Sequence, residues 1–403
     1  MSSIIEPIKF ISLIYEYKDS LKLGRKNMNS RSKTFLLMPR IYFGGAETQF
    51  RYFVEFCNEN NIGLYVGIEN REGNQEQIEE FKKLNKNVEF IECNSVSAKY
   101  RDSNIFIRNI SKIKGLINLF FKNLLICIKL KDIGTVIVYD GFGLNLTFLF
   151  KLFGKKVIYS ERNSGENTIN RFFSRLNLKK ADIVCANSLS AKKYIEENIN
   201  INTHLIYNGI KIRENVEIRE KTNNIFNILV PARVAKIKNI KTIVDSLVLL
   251  DCEYQVWVCG AIEDSNYYEE IKENIKKYSL ENINFTGYTN NILDYYKKAD
   301  LVILASFSEG MPNVILESFA NKRMVISSDI EMNRAIMKDS RFVFNPNSPQ
   351  ELADKIKMVV NMQEDEKKAI VEKNFEYVKN NFSIDKMVNS YWELVKGLEN
   401  KSE

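Results

Sequence analysis

The chain has 403 residues, 45% of them apolar and 27% charged, which gives room for two ordinary domains with cores of their own. Six prolines are too few for a disordered or linker-rich protein. The net charge of +7 suits an anionic membrane surface or a phosphate-bearing substrate and is weak ground for a nucleic-acid partner.

Six cysteines without a C-x-x-C pair, and one histidine, His204, argue against a zinc or disulfide framework. They read as reduced residues of a cytosolic protein. No run reaches the roughly 18 apolar residues of a membrane span. The N-terminal apolar part carries Glu6, Lys9, Glu16 and Lys18, so it does not read as a signal peptide.

In chain order, residues 1–30 suggest an amphipathic helix followed by a basic linker. A strand is expected over Thr34 to Met38, then Gly44-Gly45 and a helix with Phe50, Phe53, Val54 and Cys57 on its apolar face. Apolar strands follow at 64–68, 88–91, 136–139, 157–160, 183–186 and 204–207, most of them separated by helices. Asn208-Gly209 is a turn signal, and the charged run Lys211 to Asn224 reads as an interdomain linker. A second alternating series begins at Ile225. Strands alternating with helices predict parallel sheets covered on both faces. The domains are therefore expected at 1–208 and 209–383, with 384–403 as a last helix.

The second series carries the chemistry. Leu301 to Leu304 predicts a buried strand, followed by Glu309-Gly310-Met311-Pro312-Asn313-Val314 and, further on, Glu317. Pro312 fits the first helical position, and the amides of Asn313 and Val314 at the helix start favour an anion. Asn313 and Glu317 share a face. A phosphate site between two carboxylates matches the layout of a nucleotide sugar. Earlier, Pro231 to Asn239 follows the strand 225–230 and offers Arg233 and Lys238 to a diphosphate at the carboxyl end of that strand. With no D-x-D motif and no His/Cys cluster, the sequence predicts a site without metal or other cofactor.

Together these segments resemble retaining GT-B glycosyltransferases of family 4 (glycosyl transferases group 1). Glu309 and Glu317 match the family's E-x7-E signature, and Arg233 and Lys238 match its R-x4-K pattern. The resemblance implies an α/β GT-B fold, two Rossmann-like domains facing a cleft, with the last helix packing back on the first domain. It implies a catalytic set of Arg233, Lys238 and Glu309. Glu317, Asn313, Val314, Met311, Gly310 and Gly45 would bind the donor, Gly45 through a glycine-rich loop.

There are two departures from the family pattern. Many relatives have a histidine after the strand that here ends in Ser160; this chain has Glu161, Arg162 and Asn163, which become candidates for acceptor or sugar contact. The family's later glycines are also missing between 321 and 337, so no role is assigned there.

The implied reaction moves a hexose or N-acetylhexosamine from a nucleoside-diphosphate sugar, UDP favoured over GDP, to a glycan acceptor, with lipid-linked glycans of bacterial surface polysaccharide foremost. The basic, aromatic-bearing segment 105–131 suggests an anionic membrane surface as a further partner, and hence a cytoplasmic protein placed peripherally at the inner face of the plasma membrane. Two alternatives stand beside this reading: a GT-B-fold sugar-nucleotide epimerase, and a non-catalytic GT-B partner protein.

Overall fold

The computed structural model describes residues 33–37, 45–68, 75–92, 127, 133–139, 141–213, 216, 225–289 and 291–400. The segment 1–30, Gly44, nearly all of 105–131 and most of the linker 211–224 lie outside these residues.

Short β-branched and aromatic runs form two parallel sheets. β1 (Lys33–Leu37), β2 (Leu64–Ile68), β3 (Glu89–Glu92), β4 (Ile133–Val138), β5 (Lys156–Glu161), β6 (Ile183–Ala186) and β7 (Thr203–Leu205) are ordered β3-β2-β1-β4-β5-β6-β7. β8 (Phe226–Val230), β9 (Tyr254–Cys259), β10 (Ile283–Gly287), β11 (Leu301–Leu304), β12 (Met324–Ser328) and β13 (Val343–Phe344) are ordered β10-β9-β8-β11-β12-β13. Every residue of β8 and β11 is buried, as expected where helices cover both faces of a sheet. The two-sheet α/β architecture expected from the sequence is therefore the one observed. In each sheet the order reverses once, between β1 and β4 and between β8 and β11. Ligands of such sheets bind at the carboxyl ends of the strands flanking the reversal.

The helix Ile384–Asn400 follows the second sheet in the chain but packs in the core of the first. Met387, Val388, Tyr391, Val395 and Leu398 form its buried stripe, at helical spacing. Tyr391 is fully buried, its ring 5.7 Å from Phe53 and 5.6 Å from Tyr139, and its hydroxyl lies 2.6 Å from Ser160 Oγ.

The chain passes between the two sheets on either side of the second one, and these two passages touch. The Ile210 N–H donates to the Phe382 carbonyl at 2.7 Å, and Ile210 bridges Ser383 in parallel. The Gly209 N–H donates to Gln49 Oε1 at 2.7 Å. A Cβ on Gly209 would stand 2.8 Å from Ile384 Cα, a backbone atom that has no room to yield. Only glycine lets the two passages approach so closely.

Gly209→Ala should therefore lower stability by about 1–3 kcal/mol through overpacking. Gly63→Ala, where a Cβ meets nothing within 4 Å, should be neutral or slightly stabilising. Thermal denaturation of the two variants side by side checks this; equal melting temperatures would remove the close-approach argument.

Candidate active site

The reversal of the second sheet brings together two loops, one after β8 and one after β11. The Phe307 N–H donates to the Ile237 carbonyl at 2.9 Å, tying one loop to the other. The first loop has a rigid seat. Its Val234 N–H donates to the Ala261 carbonyl at 2.9 Å, and a Cβ on Gly260 would lie 2.2 Å from the Ala232 carbonyl oxygen. Glycine at 260 is what allows the loop to press against the end of β9. Asn239, left-handed at φ 53°, closes the loop, and its side-chain amide donates to the Pro346 carbonyl at 2.7 Å.

On this seat Lys238 Nζ meets Glu309 Oε1 at 2.7 Å, with both side chains largely shielded from solvent. Two residues far apart in the sequence thus form a single charge pair at the strand ends. Arg233 points outward and pairs with Glu263 in an exposed salt bridge. Each of these two cations is thus neutralised by a carboxylate.

The helix after β11 spans Asn313–Ala320. Pro312 is its N-cap, with φ −79° and ψ 72°, one position earlier than the sequence suggested. The reason is local: the Asn313 N–H turns back onto the Met311 carbonyl at 2.9 Å, so the first helical turn starts after the proline. The expectation of two outward amides is corrected with it, because the Asn313 amide is engaged in that turn. The Asn313 side chain is engaged elsewhere as well. Its Oδ1 accepts from Asn208 Nδ2 at 2.7 Å, and its Nδ2 faces Gly45, where a Cβ would come to 3.1 Å. Asn313 and Gly45 therefore meet across the junction of the two halves. Met311 is buried in the second core, which leaves only its backbone for a ligand. Val314 is half-buried against the same core.

Glu317 is half-buried one turn inside this helix and accepts from the Tyr296 hydroxyl at 3.1 Å. Burial pushes its carboxyl up from 4.5 to about 7, against the opposing pull of the Tyr296 hydrogen bond. Tyr52, on the helix Gly45–Glu59 of the first half, is pushed up to about 12, first by burial and next by the Glu317 charge. The two residues thus feel one another across the cleft.

Facing these residues is the end of β5. Gly310 approaches it closely: a Cβ there would lie 3.8 Å from both the Arg162 carbonyl oxygen and Asn163 Cα. Glu161 and Arg162 differ from the expectation of acceptor contacts, because both side chains turn inward. Glu161 accepts from the Tyr159 hydroxyl at 3.0 Å, the Thr168 hydroxyl at 2.6 Å, and the backbone N–H groups of Arg162 and Asn163 at 3.1 and 3.0 Å. It shapes the loop. Arg162 donates to Asn208 Oδ1 at 2.8 Å and stacks over the Tyr139 ring at 4.7 Å. Of the three, only Asn163 is exposed.

The sequence reading missed Tyr296, Asn208 and Tyr52. Asn208 was visible only as a turn signal, and Tyr296 and Tyr52 only as helix residues. Among the described residues no group of three or more His, Cys, Asp or Glu side chains is placed to hold a metal ion.

Glu317 carries a pH signature. Unfolded, its carboxyl releases the proton near 4.5; folded, it keeps it up to about 7. The folded state binds the extra proton in that window, so this group's contribution to stability falls as pH rises through it. Denaturant unfolding of Glu317→Gln should lack that component of the slope between about pH 5 and 7, whereas an unchanged slope would show that Glu317 titrates normally.

Comparison with known proteins bears on the same half of the chain. Residues 210–376 match the family model of glycosyl transferases group 1. The chain is 24% identical to the glycosyltransferase MJ1069 of Methanocaldococcus jannaschii over 92% of its own length and all of that protein. It is 25% identical to the Campylobacter jejuni N-acetylgalactosamine-N,N'-diacetylbacillosaminyl-diphospho-undecaprenol 4-alpha-N-acetylgalactosaminyltransferase, over 45% of this chain and 51% of that protein. Among solved structures, a glycosyltransferase from Rickettsia africae superposes with TM-score 0.73 at 21% identity, covering 92% of this chain and 99% of the other. Anabaena Alr3699/HepE, crystallised with UDP and glucose, superposes with TM-score 0.72 at 16% identity, covering 91% and 100%. The fold is that of GT-B glycosyltransferases, and the chain carries a glycosyltransferase domain and is an enzyme of that class.

Proposed function

We propose that this glycosyltransferase works as a retaining enzyme of the family 4 type. It moves a hexose or N-acetylhexosamine from a nucleoside-diphosphate sugar, UDP favoured over GDP, to a lipid-linked glycan. The observation that carries the reading is the Lys238–Glu309 pair at the reversal of the second sheet, 2.7 Å apart, with Arg233 on the same loop and Glu317 one helical turn beyond. Support for the donor comes from the Anabaena neighbour, crystallised with UDP and glucose. Support for the acceptor comes from the Campylobacter relative, whose name specifies a diphospho-undecaprenol-linked glycan.

In this reading the diphosphate takes Lys238 and Arg233 from their carboxylates. Lys238, released from Glu309, and Arg233, released from Glu263, then balance the charge that grows on the departing diphosphate. Glu309, freed from its cation, accepts hydrogen bonds from donor-sugar hydroxyls and fixes the ring. Glu317 accepts from the ribose hydroxyls. The acceptor hydroxyl adds to the anomeric carbon on the face the diphosphate leaves, and a phosphate oxygen takes its proton.

The Val314 N–H and the backbone of Gly310 and Met311 line the phosphate end. Asn163, across from Gly310, is the exposed candidate for the acceptor side. The domain division belongs to the same reading: 1–208 together with 384–403 on the acceptor side, and 209–383 on the donor side. So does a peripheral place at the cytoplasmic face of the plasma membrane. No helix among the described residues is long and apolar enough to cross a membrane.

Two measurements test this reading. Above pH 7, where the Glu317 carboxyl is ionised, removing a charged hydrogen-bond acceptor costs about 1.5–3 kcal/mol, so Glu317→Ala should there weaken UDP binding in calorimetry roughly 10- to 100-fold. Unchanged affinity would sink the ribose assignment. Because Arg233 and Lys238 serve as the charge partners, turnover should survive EDTA; loss of activity that magnesium or manganese restores would show the diphosphate site to be misassigned.

A further inference from the structure

The helices Thr147–Leu152 and Phe172–Leu178 lie side by side on the first half and turn their inner faces, Leu149, Phe150 and Leu178, into its core. The Phe148 N–H donates to Asn177 Oδ1 at 3.2 Å, fixing one helix to the other. Their outer faces are also apolar. Phe148, Leu152, Phe172, Phe173 and Leu176 are exposed, with Phe172 at 70% and Phe173 at 73%. Scattered single apolar residues on a surface need no explanation; a group of bulky rings and Leu side chains on two linked helices does.

The charges around this patch are one-sided. Arg171, Arg175, Lys179 and Lys180 are exposed, and among the described residues none is ion-paired to a carboxylate. From Asn163 to Lys180 the only acidic residue is Glu166. Lys180 sits 4.3 Å over the Phe148 ring, so cation and aromatic surface are in contact. Aromatic rings flanked by unpaired basic side chains fit the headgroup boundary of an anionic bilayer, where rings enter the interface and cations meet phosphates. A second copy of the chain fits poorly, because a two-fold contact would set the same four cations against themselves.

We infer that Phe148, Leu152, Phe172, Phe173 and Leu176, with Arg171, Arg175, Lys179 and Lys180, form the surface by which the enzyme docks on an anionic lipid bilayer. The inference rests on the reading of a lipid-borne acceptor and gives it a place. The short helix Glu166–Asn170 joins this patch to the loop 161–165, tied by the Thr168 hydroxyl bond to Glu161 at 2.6 Å. That loop is the one facing Gly310 across the cleft. Docking through the patch brings the cleft wall to the bilayer surface, where the sugar of a lipid-linked acceptor lies.

The test is flotation of the full chain with phosphatidylglycerol-containing vesicles and with pure phosphatidylcholine vesicles, at low and high salt. UDP binding and sedimentation velocity are measured on the same samples. The wild type should bind the anionic vesicles, lose much of that binding at high salt, and bind neutral vesicles weakly. Phe172→Ser/Phe173→Ser and, separately, Arg175→Glu/Lys179→Glu should each weaken vesicle binding at least about tenfold while keeping wild-type UDP affinity and circular dichroism. The charge-reversed pair lies wholly on the surface and decides the matter if the phenylalanine variant fails to fold. Wild-type-like vesicle binding by the folded variants would overturn the inference. So would absence of vesicle binding by the wild type, equal binding to both vesicle types, or a wild-type dimer that the variants dissociate. Loss of UDP binding by the wild type would count against the donor reading alone, since the vesicle result is read independently.

Discussion

Arg162 carries a permanent charge into the interior, and the arrangement of both halves depends on giving that charge company. A buried guanidinium offers only N–H donors, so it needs acceptors or a π face around it. It finds them in four places in the chain. Asn208 at the junction accepts at 2.8 Å, Ser160 of β5 and the Tyr391 hydroxyl of the last helix lie at 3.4 Å, and the Tyr139 ring after β4 supplies a π face at 4.7 Å. Leaving such a charge without partners would cost several kcal/mol. Asn208 in turn donates to Asn313, at the head of the helix that carries Glu317. An unbroken set of contacts therefore runs from the first core to the candidate donor helix.

The site shows a second form of the same economy of charge. Lys238 and Glu309 satisfy each other in a shielded position, and Arg233 and Glu263 do so at the exposed edge. Lys238 and Glu309 thereby leave no unpaired charge in their shielded position. In the proposed reading, binding would be an exchange of partners at these two cations.

The sequence made the second half legible for a physical reason. Its candidate site residues sit on two short loops at the ends of apolar strands and on the helix that follows the second loop, so spacing along the chain maps onto spacing in the fold; Arg233, Lys238, Glu309 and Glu317 could be singled out that way. Asn208, Tyr296 and Tyr52 could not, because their roles depend on tertiary contacts that no local pattern encodes. Glu161 and Arg162 are hard to place for the same reason: two charged residues at the end of a strand look solvent-facing, and only the tertiary bonds from Thr168 to Glu161 and from Arg162 to Asn208 show that they face inward. Strand β13 escaped notice because two residues carry no periodicity. Pro312 was displaced by one position because the turn bond from Asn313 to Met311 is a feature of geometry, not of residue type.

The placement of the helix Ile384–Asn400 has a consequence for how the protein is made. Its buried stripe belongs to the first core, yet a ribosome synthesises it only after the entire second sheet has emerged. Domains generally fold as units in order of synthesis. Here the second half can close on itself while the first still lacks Tyr391 and Val395, leaving the seat of Phe53, Ile137 and Ile158 uncovered. The nascent first half is thus an apolar surface waiting on a late segment, and it is in that interval that a chaperone would have most to protect.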